Sequence, residues 1–473
     1  MLIKSLCCLF RHNSASHGNK TFSTQRIVWI LGDKEGFTVV NFFRLLDSER
    51  HIAFCPMNFV ADVYIGCPHA CWYCYAPSFT ERRKFGPSFE RFRNFRRRFK
   101  SDSDFEKIES AIKDGKVKGT CAEKQEYYIS AAIKQRHPLR IGSVSEPFGL
   151  PLENQLGDTY RILEILIEND YPFVVCTKSP LVATPRYINL LKSADGKAGV
   201  QISLISLNEN LLSYLESRPG SATPSAKSRL EALKKLSEEG IFTTCRIQPM
   251  IPQVTEYYMK ELIFALAEAG VKHVIVEFLW LPIIHAKDMG LKLKNVLDAY
   301  CAAGGVVGQE LAKFNNDINA YYRYVGYVDA VHGRIFYSRK RMAELMPKFA
   351  RMVEEANKEY NTDMTFGSGN EETSFLNSTD NCCGVDRLQA FSGYPKCIGQ
   401  TALKLAKNWG KVTLNDIMQF YNPCPDKFRQ LWVKKEKRGY FLENRIFKLR
   451  AQQVGDQVEY VYDDKAIPCC EST

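Results

Sequence analysis

The sequence predicts an α/β chain built on a partial, laterally open (β/α)6 barrel and followed by a C-terminal, mostly helical extension. Three observations predict it. Short β-branched runs alternate with helical stretches through the middle of the chain, the pattern of βα units on a parallel sheet. Six such repeats occur, too few to close an eight-stranded barrel. The C-terminal ends of the runs also carry polar residues, where parallel barrels place their chemistry: Ser143, Ser145, Glu146, Thr177, Lys178, Ser203, Ser206, Arg246, Gln248 and Glu277.

In chain order the expected strands are DVYIG (62–66), LRIGSVS (139–145), FVVCTKS (173–179), VQISLIS (200–206), TTCRIQPMI (243–251) and HVIVEFLWL (273–281). Helices are expected over 159–170, 226–240 and 256–270, the last two closing on Gly240 and Gly270 as helix C-termini do. Beyond about residue 286 the alternation weakens. Two further helical stretches are followed by a Gly/Ser/Asn-rich section, FGSGNEETSFLNSTDNCCGVD, expected as a long loop, and then by a small basic helical and hairpin unit. The expected organisation is a basic N-terminal segment (1–32), the partial barrel (33–285, with an insertion at about 78–137) and the extension (286–473).

The chain has 473 residues, 45% hydrophobic and 25% charged, which is ample material for a full core. No apolar run reaches the roughly 18 residues of a membrane span, so no transmembrane segment is expected. The first 32 residues hold no Asp or Glu but include Lys4, Arg11, Lys20 and Arg26, the composition of a mitochondrial transit peptide or of a plain basic terminus. The location expected by default is cytoplasmic, with the mitochondrion as the alternative. Net charge is +11, and residues 81–100 hold nine Lys/Arg against two Glu. Phe85, Phe89, Phe92, Phe95 and Phe99 in that stretch follow a helical spacing. This predicts an amphipathic helix whose arginines are either solvated, set against the phosphates of a nucleic acid, or turned to an anionic membrane or partner surface.

Sixteen cysteines are too sparse in a long chain for a disulfide scaffold, and they cluster. In GCPHACWYCYAP the spacing Cys67-x3-Cys71-x2-Cys74 follows the first expected strand. Three thiolates in eight residues suit an iron–sulfur cubane, where each corner iron takes one sulfur donor and the fourth iron is left open. A zinc site recruiting His69 and a disulfide are the alternatives. Cys382, Cys383, Cys397 and Cys424 form a looser set in turn-forming contexts, a candidate auxiliary metal site or else buried or free thiols. Cys176, Cys245 and Cys301 are expected as buried thiols.

With YIGCPHACWYCYAPS, SVSEPFGLPLE, TKSPLV, ISLISLNENLLSYLESRPGSATPSAKSRLEALKKLSEEGI and RIQPMIP in order over about residues 60–285, the chain resembles the radical S-adenosylmethionine (SAM) superfamily. More narrowly it is similar to the spore photoproduct lyase-like (DNA repair photolyase-like) branch. The resemblance implies a [4Fe–4S] cluster on Cys67, Cys71 and Cys74, with SAM on the fourth iron. Tyr73 would lie against the adenine and offer it a backbone carbonyl. Ser143 and Ser145 would reach the methionine end, Lys178 and Ser203 the carboxylate, and Arg246 the ribose or carboxylate. It implies a 5′-deoxyadenosyl radical that abstracts hydrogen from a substrate, and an electron donor such as flavodoxin or ferredoxin. True spore photoproduct lyases use a downstream cysteine as hydrogen-atom donor, assisted by tyrosines flanking the third cluster cysteine. Tyr73 and Tyr75 flank Cys74 here, and Cys121 lies at a comparable distance in surroundings that do not match, which places repair of a thymine dimer in doubt. The expected substrate is a nucleic acid or nucleotide. The alternatives are a peptide or small metabolite, or a non-catalytic iron–sulfur or zinc-binding interaction protein.

Overall fold

Consecutive apolar runs pair edge to edge, and seven of them pair in parallel. In a computed structural model the described residues are 38–46, 55, 57–69, 71–76, 94–117, 123–217, 223–252, 254–282, 327–329, 334–391, 398–420, 442–443, 446, 448–455 and 457–465. One eight-stranded sheet runs in sequence order: β1 (Phe43–Leu45), β2 (Phe59–Ala61), β3 (Leu139–Ile141), β4 (Phe173–Thr177), β5 (Ala198–Ser203), β6 (Phe242–Met250), β7 (His273–Phe278) and β8 (Thr365–Ser368). β1 is antiparallel to β2, and every later pairing is parallel. β1 and β8 are its two edges, so the sheet is open, as six repeats demanded.

The first parallel strand is Phe59–Ala61 and not 62–66. Asp62 ends it, and Tyr64–Ile65 leave the sheet to form a two-residue antiparallel ladder with Arg97–Arg96. The Gly/Ser/Asn-rich section is also more than a loop, since it supplies β8 as a seventh parallel strand beside β7. Its small residues are required there: a Cβ on Gly367 would sit 2.2 Å from the Cys382 carbonyl oxygen. The basic stretch is likewise not helical where it is described. Residues 94–100 are extended, Arg97 makes two 2.8 Å bonds to the carboxylate of Asp158, and Arg98 Nε donates to the Asp62 carbonyl at 2.7 Å. Phe95 packs on Tyr64, and Phe99 lies between Phe42 and Phe105. Residues 77–93 are outside the described set.

Helices cover one face of the sheet. Ala226–Glu238 starts on Ser225, whose hydroxyl accepts from the Ser228 N–H, and Gly240 beyond it has φ +78°; Met259–Glu268 is likewise followed by Gly270 at φ +72°. On the strands Val175, Val200, Ile202, Cys245, Ile247, Val274 and Val276 join the helix-side core. Strand alternation therefore turns Arg140, Cys176, Gln201, Ser203, Arg246, Gln248 and Glu277 to the other, inner face. Burial pushes the Cys245 thiol up to about 12, as suits a core residue.

Met57, Val174, Ile275, Cys383, Val385, Leu388 and Phe391 form a separate cluster, which brings residues 383–391 of the extension against the inner face. His273 fastens them: Nε2 bonds the Cys382 carbonyl at 2.9 Å and Nδ1 the Thr365 hydroxyl at 2.8 Å. Among the described residues of the extension are the helices Arg339–Tyr360 and Ile398–Trp409, the second of which packs with a hairpin, Leu449–Val454 and Gln457–Tyr462, around its own core. Among the described residues no helix is long and apolar enough to cross a membrane. The acid-free N-terminus lies outside them.

Candidate functional site

The cysteine loop begins where β2 ends. Gly66, at φ +81°, turns the chain out of the short ladder into Cys67. The Trp72 N–H then donates to the Leu215 carbonyl at 2.9 Å, tying the loop to the helix that follows β5. Cys67, Cys71 and Cys74 are all free of disulfides. Burial pushes the Cys67 thiol well up, and Glu146 and the other two thiols add to it; burial raises Cys71 as well, against the opposing charge of Lys178. Buried thiols such as Cys67 and Cys71 ionise only beside a compensating positive centre, which iron supplies because thiolates are its ligands. Among the described residues no three His, Cys, Asp or Glu side chains gather on a single ion. A cubane does not ask for that, since each thiolate takes a different iron.

Three buried carboxylates set the loop and the strand ends around it. Asp62, 1% exposed, accepts from the N–H groups of Val144 (3.0 Å) and Ser145 (3.1 Å), from both hydroxyls of Ser143 and Ser145 (3.1 Å each), and from Arg44. Burial opposes its ionisation, but Arg44 and these donors hold it below the usual carboxylate range. Glu146 accepts from Thr177, from the N–H groups of Lys178 (2.9 Å) and Phe148 (3.1 Å), and bonds His69 Nε2 at 3.1 Å. His69 thus serves the loop as a link to Glu146.

Glu216 is the third. It accepts from Lys178 Nζ (2.7 Å), Arg229 Nη2 (2.7 Å) and the Tyr73 hydroxyl, while Lys178 also reaches Tyr73 Oη at 2.9 Å. Arg229, fully buried, donates to the Ser203 carbonyl at 2.9 Å. Burial would raise the Glu216 carboxyl, but Arg229 and Lys178 override it and hold it at about 2.

The residues expected to contact SAM fall into three bonded groups, and most are already engaged. Ser143 and Ser145 spend their hydroxyls on Asp62, and Lys178 and Tyr73 meet on Glu216. Ser203 is joined to that group through its carbonyl and Arg229. Arg246 Nη1 donates to Gln201 Oε1 at 2.6 Å. Tyr75, 46% exposed, donates its hydroxyl to the Ser143 carbonyl at 2.5 Å. Cys121, Cys397 and Cys424 lie outside the described residues. Cys382 and Cys383 stand 3.8 Å apart at sulfur, and Cys383 groups with Cys55 across Arg140, which donates to both at 3.5 and 3.6 Å. Sequence reasoning missed Asp62, Glu216 and Arg229. Arg229 left a signal: it stands in the apolar stripe Ala226, Leu233, Leu236 of its helix, a place where a charge needs a buried partner.

No family model matches the chain. It is 27% identical over 281 residues to an uncharacterized protein of Acidianus two-tailed virus, covering 54% of this chain and 78% of that one. It is 22% identical over 233 residues to an uncharacterized protein of Mycobacterium tuberculosis, covering 49% of this chain and 61% of that protein. Among solved structures it is similar to spore photoproduct lyase with a dinucleoside spore photoproduct, at TM-score 0.43 and 16% identity over 70% of this chain and 79% of that one. It is also similar to the radical S-adenosylmethionine methyltransferase TsrM from Kitasatospora setae with cobalamin and a [4Fe–4S] cluster, at TM-score 0.32 and 13% identity over 48% of this chain and 36% of that one. The solved proteins to which this chain is similar thus include spore photoproduct lyase and a radical SAM methyltransferase.

Proposed function

We propose that the protein is a radical SAM enzyme acting on a nucleic acid or nucleotide. The observation that carries the reading is the loop of Cys67, Cys71 and Cys74: three thiols outside any disulfide at the mouth of an open parallel sheet, ringed by buried charge pairs. These cysteines would hold a [4Fe–4S] cluster, and SAM would complete it at the fourth iron. When bound, the pair supplies a 5′-deoxyadenosyl radical on one-electron reduction, which is the cofactor's own chemistry.

The chain's residues bind and orient. Glu146, through His69, holds the segment between Cys67 and Cys71 against the end of β4. Glu216 fixes the Tyr73 ring beside Lys178, whose ammonium stands 5.4 Å from the ring centre. An ammonium has three N–H donors. Glu216 and Tyr73 take two, and the third is the one we assign to the SAM carboxylate. Asp62, by bonding the N–H groups of Val144 and Ser145, shapes the turn after β3 on which Tyr75 rests. Burial of all three carboxylates keeps water from competing with these contacts. A flavodoxin or ferredoxin is the class of electron donor we expect. The basic stretch 81–100 supports the nucleic-acid substrate, and a salt-dependent affinity for DNA or RNA is its check.

The test is anaerobic reconstitution with iron and sulfide, reduction with dithionite in the presence of SAM, and chromatography for 5′-deoxyadenosine. The expected result is about four irons per chain and SAM-dependent product. A chain that takes up that iron and yields no 5′-deoxyadenosine would make the protein a non-catalytic cluster binder.

A further inference from the structure

The inner face of the sheet carries positive charge that its neighbours do not neutralise. Arg140 on β3 donates from Nη2 to the sulfurs of Cys55 and Cys383, and its Nε is buried with no partner. Arg246 on β6 bonds only the neutral Gln201, and neither arginine forms an ion pair with a carboxylate among the described residues. Gln201 is 1% exposed; its Oε1 accepts from Arg246 and from the Cys176 thiol at 3.4 Å, while its Nε2 is buried with no acceptor. Cys176 and Cys383 each lie in the field of both guanidiniums, which puts Arg140 and Arg246 around one stretch of this face.

The constellation is rich in donors and short of acceptors. The Cys382 thiol beside it, together with Arg140 and Arg246, holds the Cys383 thiol down at about 6 against burial. One thiolate can offset one guanidinium; Arg246 is left with the neutral Gln201 Oε1, and Arg140 Nε and Gln201 Nε2 have no acceptor among the described residues. Leaving Arg140 Nε and Gln201 Nε2 buried without an acceptor is costly, and an anionic ligand that accepts from them removes that cost. The flat fork of guanidinium N–H groups matches the oxygens of a carboxylate or a phosphate.

We propose that Arg140, Gln201 and Arg246 form a subsite on the inner face that binds an anionic oxygen group of the substrate, a phosphate or a carboxylate. The assignment to the substrate rests on the radical SAM reading; the anion site itself does not.

The test is calorimetric titration of the full-length protein with inorganic phosphate, and separately with acetate, at constant ionic strength. One saturable site is expected, and the tighter probe identifies the group. Arg246→Gln and Gln201→Leu should each weaken binding roughly tenfold or more, the loss of one charge-assisted contact. Arg246→Lys should keep part of it, and Arg161→Gln, whose ion pair with Asp102 is exposed, should match the parent. Circular dichroism establishes that each variant is folded. Absence of a saturable site, or equal binding by all folded variants, overturns the proposal. Phosphate binding that persists at saturating SAM supports a substrate subsite, and displacement by SAM overturns that assignment. Anion binding in a protein that forms no 5′-deoxyadenosine would sink the radical SAM reading and leave the site standing.

Discussion

Replacing Glu216 by Gln probes the charge cluster that holds Tyr73 and Lys178 beside the cysteine loop. The change keeps the side chain's shape and removes one negative charge, leaving Arg229 at 0% exposure and Lys178 with no carboxylate. Relative to an ordinary value of 4.5, a carboxyl held at about 2 represents about 3 kcal/mol of differential interaction. That agrees with the roughly 3–5 kcal/mol lost when one partner of a buried pair is removed. The folded pKa lies below the unfolded one, so this contribution is complete above about 4.5 and is lost as pH falls towards about 2. Urea unfolding followed by tryptophan fluorescence should show Glu216→Gln less stable by about 3 kcal/mol at pH 7, with the gap narrowing at pH 3. Arg229→Met should cost a similar amount, and the double variant Glu216→Leu/Arg229→Met much less than the two singles together, because no charge is then stranded. A Glu216→Gln protein within about 0.5 kcal/mol of the parent at pH 7, or strictly additive costs in the cycle, would refute the reasoning.

Three further outcomes follow from the same structure. Cys71→Ala should lose iron and 5′-deoxyadenosine formation together while its far-ultraviolet circular dichroism stays that of the parent. Burial holds His273 down to about 4, so the neutral ring that pins the 383–391 segment should lose about 3 kcal/mol of stability as pH falls from 6.5 to 4, and a His273→Gln variant should lack that slope in acid unfolding curves. Gly367→Ala would press a methyl against the Cys382 carbonyl, so a loss of about 1–3 kcal/mol in thermal unfolding is expected, with faster proteolysis within 383–391.

Much of the sheet was legible because strand and helix periodicity are local. The strands from 139 to 278 lie where β-branched runs place them, and Gly240 and Gly270 end their helices in left-handed turns. The errors fell where a tertiary partner overrode local pattern. Tyr64–Ile65 has a strand's sequence but pairs with Arg97–Arg96, outside the main sheet. The Phe spacing of 85–99 suggests a helix; of that stretch only 94–99 is described, and there Arg97 finds Asp158 and Arg98 finds the Asp62 carbonyl, with Arg96–Arg97 in a strand and not a helix. β8 was hidden by its loop-like composition, in which Gly367 is in fact demanded by the close passage of the Cys382 carbonyl. Cys383 bonds Arg140, 243 positions earlier, a contact that no local spacing announces; Cys397 and Cys424, grouped with it in the sequence, lie outside the described residues.

By itself the sequence determined what chain connectivity controls: three thiols within eight residues, the order of the βα units, and the strand-end positions of Lys178 and Arg246. Only the tertiary structure decided which of those polar groups are already spent. Lys178 meets Glu216 38 positions away, and Ser143 meets Asp62 81 positions away, whereas among the described residues Arg246 hydrogen-bonds a neutral amide. A charge is neutralised through space and not along the chain, so the cations left over for ligands appear only once the strands lie side by side.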